Sequence, residues 1–295
     1  MKGPCARGRV IAWALVAGGV SGCAAGADPA EAARAATETW RQTSGARARE
    51  ELEGAPGGAA SFAPLEAASP VIALEVPRHR TAVVSLPVGA RGPRPVVVAA
   101  HGAGDRPEEQ CRFWRGIVGD RAFVLCPRGF ATNPHAPPDQ TGYFYTTHHM
   151  LGEEVTAALR ALGERFGGHV DLGSPVFAGF SQGAIMGALV LPSHPARFGR
   201  AVLVEGGYGL FQEWNRHVAR RLRERGGERV LIACGRAACA REAEVSAGYM
   251  ESEGLRVRVV HAPGGGHTYG GAVGAEVAAA FAWVVEGDPR FAGPR

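Results

Sequence analysis

The sequence predicts a three-layer α/β domain with a mostly parallel central sheet. Short uninterrupted apolar runs such as Pro95–Ala100 (PVVVAA) read as strands buried on both faces, which a parallel sheet covered by helices requires. Segments of helical period, such as Leu151–Phe166, fall between these runs, so strands and helices alternate. The 295 residues suffice for one large domain and a tail, with no internal repeat and no second domain.

In chain order, Val71–Val76 and Thr81–Pro87 form an antiparallel opening pair, and Pro95–Ala100 is the first deeply buried strand. Pro107 stands where a helix can begin, and Glu108–Val118 continues it. Ala122–Cys126 is the next strand. The segment 129–149 is irregular, with Pro134, Pro137 and Pro138, and Leu151–Phe166 is an amphipathic helix. Pro175–Phe180, Ala201–Glu205, Arg229–Cys234 and Leu255–His261 are the remaining strands. Between and after them come helices at Gln182–Leu191, Gln212–Arg225 (basic), Ala240–Glu253 and Ala272–Val285.

The N-terminus predicts export. Lys2, Arg7 and Arg9 precede the apolar stretch Val10–Val20, which is too short to span a bilayer. Val20-Ser21-Gly22-Cys23 follows and resembles the bacterial lipobox, in which the cysteine becomes the lipidated first residue. An ordinary secretory signal cut near Ala24 or Ala25 is the alternative, and both export the chain. The expected organisation is a signal peptide at 1–22, an Ala/Gly/Pro-rich tether at 23–70 and the folded α/β domain at 71–295. The mature chain then sits in the cell envelope, joined to a membrane through Cys23.

Four cysteines remain beside Cys5 and Cys23: Cys111, Cys126, Cys234 and Cys239. In an exported protein they suggest disulfides, with Cys111 paired to Cys126 and Cys234 to Cys239, each local in sequence. Their spacing lacks a repeated C-x-x-C and an adjacent histidine, so no metal site is expected. The net charge of +4 is unclustered: Lys2 is the only lysine, and arginines are scattered among acids. No basic run is interleaved with aromatics, which excludes nucleic acid as a partner. A small or acylated substrate is expected instead.

The chemistry begins at Gly179-Phe180-Ser181-Gln182-Gly183, a G-x-S-x-G pattern. In a chain with 43 glycines the pattern alone is weak. Its context is not: the apolar strand VFAGF runs into it and the helix-forming GAIMGALVL leaves it. Such a strand–turn–helix lifts Ser181 above the sheet as a nucleophile. It also points the Gln182 N–H, at a helix N-terminus, toward developing negative charge. His101-Gly102-Ala103-Gly104-Asp105 follows the strand PVVVAA and offers a second donor, the Ala103 N–H, with Gly102 next. His101 itself reads as structural, at the strand end under the loop.

HGAGD and GFSQG, in this order and spacing, resemble the α/β-hydrolase superfamily over residues 71–285. The branch is that of small carboxylesterases, phospholipase-like esterases and acyl-protein thioesterases. The resemblance implies a three-layer α/β-hydrolase fold and hydrolysis through an acyl-enzyme without a cofactor. It maps the nucleophile onto Ser181 and the oxyanion donors onto Ala103 and Gln182. His267, in Gly264-Gly265-Gly266-His267 after the last strand, takes the place of the base. His261, at the strand end, reads as packed, and His148 and His149 as solvated.

The chain departs from the family at the acid. The loop after Arg229–Cys234 is Gly235-Arg236-Ala237-Ala238-Cys239-Ala240, without a carboxylate. Three readings remain: Glu205 at the end of the preceding strand, Glu242 or Glu244 on the following helix, or no acid. Glu205 is the expectation, because a strand end is rigid and the two glycines after it open space. Phe130, Tyr143, Phe144 and Tyr145 are candidates for lining an acyl pocket, or else pack their segment onto the core. A peptidase or amidase of the same fold, and a binding lipoprotein that has lost activity, are the competing functions.

Overall fold

A computed structural model describes residues 62–209 and 213–292. The signal segment, Cys23 and the tether up to residue 61 lie outside the described residues.

An eight-stranded sheet runs through the domain in the order β1-β2-β4-β3-β7-β8-β9-β10. Its strands are β1 (Val71–Leu74), β2 (Ala82–Ser85), β3 (Arg94–Ala100), β4 (Phe123–Cys126), β7 (Val170–Phe180), β8 (Arg200–Val204), β9 (Arg229–Cys234) and β10 (Arg256–His261). Pairing is antiparallel at β1–β2 and β2–β4 and parallel from β4 to β10. Among the described residues five helices connect them, α1 (Pro107–Val118), α2 (His148–Phe166), α3 (Gln182–Val190), α4 (Arg216–Glu224) and α5 (Ala237–Ser252), and α6 (Gly271–Val285) follows β10.

Side chains along a strand alternate between faces, and this divides the core in two. Val96, Val98 and Ala100 of β3 face a cluster with α2, α3, α4 and α5 that includes Leu151, Leu162, Leu191, Leu222 and Met250. Val97 and Ala99 face the opposite cluster, with Trp114 of α1 and Val277 and Phe281 of α6. The continuous apolar runs are thus buried on both faces. The parallel strands all end on one edge, and their C-terminal loops meet there.

Several boundaries differ from the sequence expectation for local reasons. Helix α2 begins at His148 rather than Leu151, because the Thr147 side chain accepts the Met150 N–H at 3.2 Å and caps it. Asn215 likewise caps α4, accepting the Val218 N–H at 3.0 Å. Strand β7 reaches back to Val170 across an irregularity in its pairing with β3, which Gly173 and Pro175 disguise. The segment read as irregular holds a two-strand hairpin, β5 (Phe130–Ala131) and β6 (Tyr143–Phe144). Residues from 62 onward, read as tether, join the domain: Leu65 is buried, donates to the Ala90 carbonyl at 2.9 Å and accepts from Gly89 at 2.8 Å.

The expected disulfides are present, Cys111–Cys126 between α1 and β4 and Cys234–Cys239 between β9 and α5. They fit an oxidising compartment. Among the described residues no helix is long and apolar enough to cross a membrane.

Candidate active site

Ser181 occupies the turn between β7 and α3 with φ 49° and ψ −115°, a left-handed conformation that costs about 1–3 kcal/mol for a residue with a side chain. The turn is held by its backbone: the Ser181 N–H donates to the Val204 carbonyl at 2.9 Å, extending the parallel ladder by one rung. Its tightness explains Gly183, where a Cβ would stand 2.3 Å from the Ala100 carbonyl oxygen of the neighbouring strand.

One strand over, Glu205 follows β8, also at positive φ (52°), its N–H on the Ala233 carbonyl at 2.9 Å. Among the described residues only Arg78 joins these two as a non-glycine at positive φ. The Glu205 side chain is fully buried. Its Oε1 accepts the Gly235 N–H at 2.6 Å and the Arg236 N–H at 3.0 Å, and its Oε2 accepts the Arg236 Nε–H at 2.5 Å. Burial raises the carboxyl pKa. Hydrogen bonds from His267, the Gly235 and Arg236 amides and the Arg236 side chain more than offset this, so it lies below its ordinary value. The next residue, Gly206, lies so close to Ser181 that a Cβ there would meet the Ser181 carbonyl oxygen at 2.3 Å.

His267, on the loop after β10, bridges the two. Its Nδ1 lies 3.0 Å from Glu205 Oε2 and its Nε2 lies 2.8 Å from Ser181 Oγ. An ionised carboxylate can only accept, so Nδ1 carries the proton and the Nε2 lone pair receives the Ser181 hydroxyl. The imidazole is flanked by Phe180, ring centres 5.2 Å apart, and Phe180 packs edge-on against Tyr269.

Glu242 and Glu244 do not take part; both are exposed on α5. His261 is exposed at the end of β10, not packed as expected, because among the described residues β10 is the edge strand of the sheet. His148 and His149 open α2 with their ring centres 3.9 Å apart and the rings tilted by 39°.

The two candidate donor loops meet Ser181. Gly102 abuts it: a Cβ there would stand 3.3 Å from the Ser181 Cβ and 2.9 Å from the Phe180 ring. Gly104 donates to the Tyr143 carbonyl at 2.8 Å and Asp105 to the Gly102 carbonyl at 3.1 Å. The Ala103 N–H between them has no acceptor among the described residues. Gln182 opens α3, so its N–H is one of the free amides of a helix N-terminus. Its side chain anchors the turn, Oε1 accepting the Tyr145 N–H at 2.8 Å. His101 is buried under the loop, with Nδ1 2.8 Å from the Gly102 carbonyl and Nε2 2.9 Å from that of Arg128.

The aromatic cluster is not one pocket. Tyr143 and Tyr145 are buried and donate their hydroxyls to the Pro138 and Pro127 carbonyls, so they pack the hairpin onto the core. Phe130 is exposed, its ring centre 6.4 Å from that of Phe144.

The sequence reading missed Gly235 and Arg236, which hold Glu205. The signal was present: a cation, Arg236, stands in the loop after β9, where the sequence resemblance implies an acid. The Glu205 carboxylate and the Cys234 and Cys239 sulfurs lie within 4.8 Å of one another. With the sulfurs joined and the carboxylate supplied with donors, this is no metal site; the disulfide closes the loop that bears Gly235 and Arg236. A Cys234→Ser/Cys239→Ser variant is expected to stay folded and to lose about tenfold in kcat, comparable to one weakened charge-assisted hydrogen bond. Unchanged turnover in that variant would show that the loop holds itself.

No protein-family model and no curated relative matches the chain. Solved structures do match. A Thermus thermophilus protein superposes with TM-score 0.53 at 14% identity, covering 73% of this chain and 98% of its own. A carboxylesterase from Mesorhizobium loti gives 0.52 at 18% identity, covering 72% and 99%. The fluorophosphonate-binding serine hydrolase F of Staphylococcus aureus gives 0.51 at 14% identity, covering 73% and 97%. Strand order, crossover pattern and these likenesses agree: the chain has the three-layer α/β-hydrolase fold.

Proposed function

We propose that this protein is an exported serine hydrolase that cleaves carboxylic ester or thioester bonds through an acyl-enzyme. The observation that carries the reading is the unbroken hydrogen-bonded chain from Glu205 through His267 to Ser181. In the proposed cycle His267 Nε2 takes the Ser181 proton as Oγ attacks the acyl carbonyl. The tetrahedral oxyanion receives the N–H groups of Ala103 and Gln182. Glu205 holds the imidazolium, which then protonates the departing alcohol or thiol. Water, deprotonated by His267, releases the acid and restores Ser181. The carboxylesterase and fluorophosphonate-binding hydrolase that share the fold are consistent with this chemistry.

The two disulfides fit export, and the lipobox-like Val20–Cys23 supports a lipid on Cys23 that anchors the mature chain at the cell envelope. The test is to treat the purified domain with a fluorophosphonate and map the adduct by mass spectrometry. One adduct per chain, on the peptide bearing Ser181, is expected. A folded protein that takes up none, or takes it up elsewhere, rejects the reading.

A further inference from the structure

We propose that Arg236 is a positioning residue that fixes the Glu205 carboxylate and moderates the charge it presents to His267; this rests on reading Ser181, His267 and Glu205 as a hydrolytic triad. In the family this chain resembles, the loop after β9 supplies the acid. Here it supplies a cation to an acid that sits one strand away. Arg236 reaches both carboxylate oxygens, its amide on Oε1 at 3.0 Å and its Nε on Oε2 at 2.5 Å. Oε2 is also the oxygen that meets His267. The guanidinium is in turn held by the Tyr208 hydroxyl, to which Nη2 donates at 3.3 Å. It is 43% exposed, whereas the carboxylate it contacts is fully buried.

Two effects of opposite sign follow. Donors on both oxygens leave the carboxylate one orientation, with a single lone pair directed at His267, which favours turnover. The positive charge on the shared oxygen weakens the attraction between Glu205 and an imidazolium, so removing it should strengthen that attraction. The depressed Glu205 pKa agrees with a carboxylate that stays ionised throughout. Among the described residues, the other titratable groups beside this trio are Tyr208 on the guanidinium and Tyr269, which packs on Phe180 beside the imidazole. The Tyr269 phenol is pushed up to about 12 by burial, with Asp105 and Glu109 adding to it, so it carries no charge in the working range. Cys234 and Cys239 are joined and do not titrate. Among the described residues Arg236 is the cation that hydrogen-bonds to the acid.

Arg236→Met and Arg236→Lys separate charge from geometry. For each, kcat/KM on a soluble ester is measured from pH 4.5 to 9, and the low-field Nδ1 proton of His267 is followed by NMR over the same range. Arg236→Met is expected to lower kcat about tenfold and to move the acid limb, and the His267 titration with it, up by about half a pH unit or more. Arg236→Lys keeps the charge and is expected to leave the limb in place while restoring part of kcat. An acid limb and NMR titration unmoved in Arg236→Met overturn the proposal, because a merely structural arginine changes turnover without changing the titration. Should the wild type prove inactive on esters, the hydrolase reading falls. The NMR titration still decides whether Arg236 moderates the Glu205–His267 pair.

Discussion

Replacing Ser181 with alanine is expected to lower kcat/KM on a soluble ester by about 10⁶ and to abolish fluorophosphonate labelling. No other hydroxyl can take its place, because the position of Oγ is dictated by a backbone that few residues adopt. The turn at φ 49° aims Oγ at His267 Nε2, 2.8 Å away, while the Ser181 N–H is tied to Val204. Alanine tolerates that backbone as well as serine does, and the hydrogen bonds that hold the turn are main-chain bonds, so the variant should fold. The Ala103 and Gln182 amides survive the change and would still stabilise an oxyanion formed by water. A residual rate of about 10³–10⁴ over the uncatalysed reaction is therefore expected, not zero. Circular dichroism and a melting curve matching wild type establish that the fold is intact. Activity within tenfold of wild type would place the nucleophile elsewhere and remove the functional reading.

The parts of this site that were legible in the sequence are those that the fold itself demands. Ser181 stood out because a sharp strand-to-helix turn needs small neighbours, and Gly179 and Gly183 leave that need written in the chain. His267 was legible through the glycines before it. Glu205 was only one candidate among several, for a physical reason. A carboxylate becomes an acid partner through the donors around it, and two of those donors are main-chain N–H groups of Gly235 and Arg236, brought from 30 residues further along by the parallel pairing of β8 with β9. No side-chain pattern records a backbone amide. The aromatic residues of 130–145 stayed open between lining a pocket and packing their segment onto the core for the opposite reason: composition marks rings but not direction, and Tyr143 and Tyr145 turn inward because their hydroxyls find the Pro138 and Pro127 carbonyls. Helix starts slipped where a cap, not apolar period, sets the boundary, as at Thr147 and Asn215.

Glu205→Gln tests the acid, and its expected effect, a loss of about 10⁴ in kcat, follows from hydrogen-bond polarity. Three N–H donors converge on this carboxylate besides His267: the Gly235 and Arg236 amides on Oε1, and Arg236 Nε on Oε2. A glutamine amide has one oxygen to offer. It will turn that oxygen toward the two main-chain amides, because they cannot move and a buried amide without an acceptor costs about 1–3 kcal/mol. The NH₂ group then faces His267. As a donor it forces Nδ1 to accept, which moves the imidazole proton to Nε2, the nitrogen that must receive the Ser181 proton. The histidine is left in place but in the wrong tautomer, and it gains no stabilisation as an imidazolium. The NH₂ also opposes the Arg236 Nε–H, so some stability is lost with the activity. Glutamate at this site has a pKa below its ordinary value, so its share of folding stability is present above the ordinary carboxyl pKa and is lost as pH falls through the depressed one. Wild type is accordingly expected to lose melting temperature faster than the Gln variant on acidification below about pH 4.5, and the two curves should converge. Retained turnover in Glu205→Gln, with the low-field His267 proton still present, would mean that His267 is oriented by something other than this carboxylate.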